Sequence, residues 1–165
     1  MKGVDLMSKI LVAYFSAEGN TRKVAVAFSK ITGGELFEIK PVEPYTKADI
    51  NWLNPVSRCN KEKIGKKDVP VEGKVEDFES FDTVFLGFPI WYYGAPNVVN
   101  TFVKDYDWSG KKIVLFATSG SSDLNKTAEK LAPYLKGDYE IVAQKLVKPA
   151  DTSADLKAFA AEALK

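Results

Sequence analysis

Residues 10–15 (ILVAYF), 83–88 (TVFLGF) and 113–118 (IVLFAT) are nearly continuous apolar runs that do not alternate. A strand with one solvated face alternates apolar and polar residues, whereas one buried on both faces does not. These runs therefore predict strands of a parallel sheet covered by helices on both sides. Two further β-rich runs, 36–39 and 139–143, bring the set to five. Helical stripes fall between them. Val24, Ala27, Phe28 and Ile31 recur at i, i+3, i+4 and i+7, as do Leu156, Phe159, Ala160 and Ala163. Leu124, Ala128, Leu131, Ala132 and Leu135 form a third stripe; Val98, Val99, Phe102 and Val103 form a shorter one. Gly33, Gly34 and Gly137 stand where helix C-caps are expected. Strands alternating with helices imply an α/β, doubly wound sheet built from right-handed βαβ units. Five parallel strands give the expected order 2-1-3-4-5, and ligands then bind at the carboxyl ends, between the first and third strands.

A length of 165 residues suits one domain. Residues 1–165 are read as that domain, with 1–7 an extension before the first strand and Met7 an alternative start. Lys2 and Lys9 precede an apolar run too short for a signal-peptide core. Residues 41–81 read as a long polar crossover, with a helix somewhere within 55–64 and Lys61, Lys63, Lys66 and Lys67 close together. Long loops in compact domains are often functional; a solvated excursion is the plain alternative. Pro44, Tyr45 and Trp52 suggest that part of the crossover packs down.

Composition excludes several function classes. The net charge is +1, from 23 basic and 22 acidic residues, so nothing argues for nucleic acid or an anionic membrane as partner. There is no histidine, which removes the usual triads and the commonest metal ligand. Cys59 is the only cysteine, so no intrachain disulfide or thiolate zinc cluster forms. One thiol fits a reducing, cytoplasmic location. No metal site and no catalytic side chain is assigned, no run is long enough to span a bilayer, and the oligomeric state stays open.

Three loops carry the chemistry. Ser16, Ala17, Glu18, Gly19, Asn20 and Thr21 separate the first strand from the first helix. A helix N-terminus offers free N–H groups and a partial positive charge, which favour an anion. Ser16, Asn20 and Thr21 add side-chain donors, and Gly19 permits close backbone approach. No Gly-Lys-Ser/Thr follows, and Gly19 is the loop's only glycine, so neither a triphosphate loop nor a dinucleotide fingerprint is present. An ordinary strand-to-helix turn remains the alternative. The second loop, GFPIWYYGAP at 87–96, crowds Trp91, Tyr92 and Tyr93 at the end of the third strand. Aromatic stacking on a planar ligand adds about 0.5–1.5 kcal/mol beyond area burial; Trp91 as a core cover is the alternative. The third loop, 116–123 (FATSGSSD), is small and polar and opens a helix; a serine N-cap explains it equally well. A mononucleotide with a large planar base answers the first two loops together.

In these three loops, taken in order, the chain resembles the flavodoxins and flavodoxin-like flavoproteins, in their short branch. SAEGNT is similar to the phosphate loop S-x-x-G-N-T, PIWYYGAP to the aromatic loop flanking the isoalloxazine, and ATSGSS to the third flavin loop. PVEPYTKADINW…SR resembles the long second crossover of that branch. The resemblance covers nearly everything from Met7 onward. It implies noncovalent flavin mononucleotide (FMN). It places Ser16, Ala17, Gly19, Asn20 and Thr21 on the phosphate, and Pro89, Ile90, Trp91, Tyr92, Tyr93 and Gly94 beside the ring. Thr118, Ser119 and Gly120 fall at the pyrimidine edge. Trp91 is favoured as the principal stacking ring, with Tyr93 the alternative. Many flavodoxins are strongly acidic and dock basic partners; this chain is nearly neutral. The expected function is a low-potential electron carrier between redox partner proteins or small electron acceptors. The alternative is a flavin-dependent NAD(P)H reductase acting on quinones or similar acceptors. No lysine or arginine lies in the second or third loop, which disfavours an anionic reduced flavin, unless Arg58 or the crossover lysines fold over the ring.

Overall fold

The structure, a computed structural model, describes residues 9–50, 53, 57–58, 61–62, 69–90, 95–118 and 124–165, the side chain of Asn125 excepted. The elements run β1 (Ile10–Tyr14), α1 (Asn20–Thr32), β2 (Glu35–Glu38), β3 (Lys40–Pro41), β4 (Val71–Glu72), β5 (Thr83–Phe88), α2 (Asn97–Lys104), β6 (Lys112–Ala117), α3 (Leu124–Leu131), β7 (Glu140–Leu146) and α4 (Ser153–Ala163). The main sheet has the order β2-β1-β5-β6-β7, and every pairing in it is parallel. Counted along the chain, its five strands follow the expected 2-1-3-4-5.

Burial on both faces explains the unbroken apolar runs. Leu11, Ala13 and Phe15 enter one core layer with Val84, Leu86, Phe88, Ile113, Leu115 and Ala117. Their neighbours Ile10, Val12, Tyr14, Phe85, Val114 and Phe116 enter the other. Successive side chains point to opposite faces, so β1, β5 and β6 are apolar on both faces except at their first residues Thr83 and Lys112. Helix α2 covers the first layer through Val98, Val99, Phe102 and Val103, and α3 through Leu131. Helices α1 and α4 cover the second through Ala25, Phe28, Leu156 and Ala160. Phe28 lies 5.3 Å from Phe85 and 5.0 Å from Phe116, ring centre to ring centre. The outer strand β7 is only partly buried, as its less apolar sequence predicts.

Gly33 caps α1 in the left-handed conformation, at φ 73°, and its N–H donates to Ser29 O at 2.9 Å. Two sequence expectations shift. The third stripe stays α-helical only to Leu131 and tightens into a 3-10 turn over Ala132–Tyr134. Pro133 lies at the start of this turn and has no N–H for an α-helical ladder. Gly137 is therefore not a helix cap. It sits at φ 94°, where an added Cβ would lie 2.2 Å from Ser109 Oγ. The last strand also begins at Glu140 and runs on to Leu146.

The crossover leaves and rejoins the sheet through a two-stranded antiparallel ladder, Lys40 with Glu72 and Pro41 with Val71. Between these ends Arg58, Lys61 and Glu62 are helical, and Lys61 N–H donates to Ser57 O at 3.0 Å. Among the described residues no helix is long and apolar enough to cross a membrane.

Candidate functional site

The carboxyl ends of β1, β5 and β6 converge at one edge. Phe15 N–H donates to Gly87 O at 3.0 Å, and Thr118 N–H donates to Phe88 O at 3.2 Å. These bonds fix where the first and third loops leave the sheet. In the first loop Ser16 Oγ accepts the Gly19 N–H at 2.9 Å. Gly19 serves as N-cap of α1 at φ 96°, without a side-chain cap. No atom lies within 4 Å of the position a Cβ would take. The first turn of α1 carries no acidic residue, and Glu18 and Asn20 are exposed. The amide ends of α1 thus have a partial positive charge and no side chain of the helix to quench it. Ser16 keeps its hydroxyl proton for an outside acceptor. This donor set suits a single phosphate group.

Thr21 is expected to add a side-chain donor to this loop. It is 1% exposed, and its Oγ1 lies 2.7 Å from Thr118 Oγ1. The structure therefore brings the expected phosphate loop and the expected pyrimidine loop into direct contact. Pro89 is half-buried, and Ile90 belongs to the core layer. Trp91, Tyr92, Tyr93, Gly94, Ser119 and Gly120 lie outside the described residues.

The crossover contributes a network that sequence reading missed. The Arg58 guanidinium lies over the Tyr45 ring, 4.0 Å from its centre. Arg58 Nε donates to Glu62 Oε2 at 2.7 Å, and Arg58 NH1 donates to Glu43 O at 2.8 Å and to Pro44 O at 3.2 Å. Asp49 lies 3.9 Å from the same guanidinium. The Tyr45 hydroxyl donates to Glu62 Oε1, and Asn97 Nδ2 donates to Glu62 O at 2.8 Å. The Tyr45 ring meets Phe15, the residue opening the first loop, edge-on at 5.7 Å. Burial works against the Arg58 charge, but the hydrogen bond to Glu62, with Tyr45 and Asp49, more than restores it, and its pKa is raised. Only the i,i+4 spacing of Arg58 and Glu62 hinted at this network. Nearby, burial and then the Glu38 carboxylate raise the pKa of the Tyr14 hydroxyl.

Two cavities flank the first loop. One of about 620 Å³ is lined by Asn20, Thr118, Val24, Val147 and Leu156, with Lys23 and Lys148 at its rim. Among the described residues neither lysine is ion-paired. The Asp151 carboxylate there is occupied by Lys145, 3.6 Å away. The other cavity, about 490 Å³, lies between the first loop and the crossover.

Comparison with known proteins places this geometry. The family model described as Flavodoxin matches residues 9–163. A candidate flavoprotein from Bacteroides eggerthii superposes with a TM-score of 0.83 at 36% identity, over 96% of this chain and 99% of that one. A candidate flavoprotein from Bacteroides uniformis gives 0.82 at 33%, over 93% and 98%. A flavoprotein from Lactobacillus acidophilus, in complex with FMN, gives 0.68 at 20%, over 93% and 99%, and shares the fold. None of the curated proteins matches.

Proposed function

Because the chain belongs to the flavodoxin family, we propose that it binds FMN noncovalently and carries electrons between redox partners. The observation that carries this reading is the Thr21–Thr118 contact beside the uncapped start of α1. It joins an anion-favouring loop to the ends of β5 and β6, where a planar ring can lie. Ser16, Ala17, Gly19, Asn20 and Thr21 hold the phosphate, with Ser16 Oγ and the first-turn amides as donors. Pro89, Ile90, Trp91, Tyr92, Tyr93 and Gly94 cover the ring and exclude water. Thr118, Ser119 and Gly120 bond its polar edge. Bound FMN supplies the electron chemistry, and the protein orients it and sets its potential.

The second and third loops carry no lysine or arginine, which supports a low potential for the second electron. A unit cation 4 Å away would be worth about 4 kcal/mol at an effective dielectric of 20. Arg58, the one arginine of the crossover, is instead engaged by Glu62 and Asp49. The carrier works in the cytoplasm, with partner proteins or small acceptors as its redox partners.

Titration of FMN into the apoprotein tests the cofactor. Flavin emission is quenched at micromolar protein, and persistent emission would refute binding. Spectroelectrochemistry of the loaded protein resolves two separated one-electron steps; one two-electron step overturns the carrier reading. The 620 Å³ cavity, with two lysines that are unpaired among the described residues, favours a second reading. It suits the phosphates of a nicotinamide donor, and the chain would then be an NAD(P)H reductase for quinones or similar acceptors. Steady-state NADH and NADPH oxidation with a quinone separates the two.

A further inference from the structure

The geometry points to a second small-molecule site in the 490 Å³ cavity between the first loop and the crossover, built for an uncharged or cationic planar aromatic molecule. Its relevance to electron transfer rests on the reading that the first loop holds FMN; its existence as a site does not.

The volume falls in the range of pockets that hold small organic ligands, about 300–1,000 Å³. Its lining mixes polar and apolar surface in similar measure; the apolar part, partly aromatic, is Phe15 and Ile39 from the sheet edge with Val42, Pro44 and Tyr45 from the crossover. Ser16 and Ala17 are common to this cavity and the first loop, so an occupant would adjoin whatever the loop binds. The aromatic wall is held before any ligand arrives. Tyr45 is fixed by the Arg58 guanidinium over its ring, by its bond to Glu62 and by the edge of Phe15. Glu62 is itself only 8% exposed, which anchors the network inside the protein. A wall already in place reduces the ordering cost of binding.

Charge selects the occupant. Among the described residues the charged groups lining the cavity are Glu38, Glu72 and Lys40. Lys40 lies 3.9 Å from Glu38, which leaves the Glu72 carboxylate as surplus negative charge. An anionic ring is therefore disfavoured, in contrast to the lysine-rimmed cavity on the other side of the first loop.

Redox-inert naphthyl probes test the site without engaging Cys59. Labelled protein, with and without added FMN, is titrated with 2-naphthylmethanol, 2-naphthylmethylammonium and 2-naphthalenesulfonate and followed by amide NMR shifts. The alcohol and the ammonium saturate and shift Phe15, Ala17, Val42 and Tyr45, while the sulfonate binds at least about tenfold more weakly. Val42→Trp, on a side chain 60% exposed, fills the cavity from the solvent side. It weakens the alcohol about tenfold and leaves FMN affinity unchanged. Glu72→Lys strengthens the sulfonate. Shifts confined to other residues, sulfonate binding as tight as the alcohol, or equal alcohol affinity in Val42→Trp would each overturn the proposal. Alcohol binding in a protein that fails to quench FMN would keep this site and remove the flavin reading; FMN quenching without alcohol binding would do the reverse.

Discussion

Thr21 Oγ1 and Thr118 Oγ1 lie 2.7 Å apart although 97 residues separate them in the chain. One hydroxyl opens α1 and the other follows β6, so their bond ties two loops that only the parallel topology brings together. Thr21 is buried, and a buried hydroxyl robbed of its partner costs about 1–3 kcal/mol. Thr118→Val therefore destabilises the apoprotein by about that amount. The double variant Thr21→Val with Thr118→Val loses less than the sum of the two single changes, because it strands no polar group. Urea denaturation of the four proteins measures the coupling.

Two glycines separate conformational strain from crowding. Gly19 has open space around it but sits at φ 96°, a region that costs other residues about 1–2 kcal/mol. Gly19→Ala lowers stability by that order and weakens FMN through a displaced first loop. Gly87 has the opposite problem: an added Cβ would lie 2.1 Å from the buried Phe116 ring. Gly87→Ala forces the core apart at about 1–3 kcal/mol. Denaturation midpoints and FMN titrations of both variants distinguish the two effects.

These positions also indicate what sequence reading can reach. The strand runs are legible because both faces of β1, β5 and β6 are buried, which confines polar residues to the starts of β5 and β6 at Thr83 and Lys112. The anion-favouring first loop was legible because all its parts are consecutive. The Tyr45–Glu62–Arg58 network was not. Tyr45 and Glu62 stand 17 residues apart with no shared period, and only the folded crossover sets one against the other. The partner of the Thr21 hydroxyl is not legible either, because it comes from the far side of the fold. The apolar spacing of the third stripe persists through Pro133, where the α-helical ladder does not, so the spacing alone overstates the helix.

Removing the Arg58 guanidinium tests how firmly the crossover is held. Arg58→Met leaves the largely buried Glu62 carboxylate with one less charged donor, and hydrogen bonds to charged groups contribute about 1.5–3 kcal/mol. The loss is local. Amide hydrogen exchange accelerates at Lys61 and Val42, while the core amides of β5 and β6 keep their protection. Uniform acceleration throughout the chain would show that the network supports the whole fold.

The last helix carries a pH-sensitive cap. The Thr152 hydroxyl accepts the Asp155 N–H, and Asp155 accepts the Thr152 N–H. The Thr152 N–H first, and then the Thr152 hydroxyl, hold the Asp155 carboxyl below its ordinary pKa. A depressed carboxylate stabilises the fold fully above its unfolded pKa of about 3.9. That contribution is lost as pH falls through the lower folded value. Asp155→Asn removes this part of the acid slope. Denaturation series between about pH 2 and pH 6, run on both proteins, converge at the acid end.

The short β3–β4 ladder fastens both ends of the crossover at Lys40–Glu72 and Pro41–Val71. Doubling the length of a chain segment between fixed ends adds only about 0.6 kcal/mol of closure entropy. Insertions or deletions within the segment therefore cost little in closure entropy so long as Tyr45 and Glu62 keep their seats on Phe15 and Asn97, and such changes retool what the rim admits.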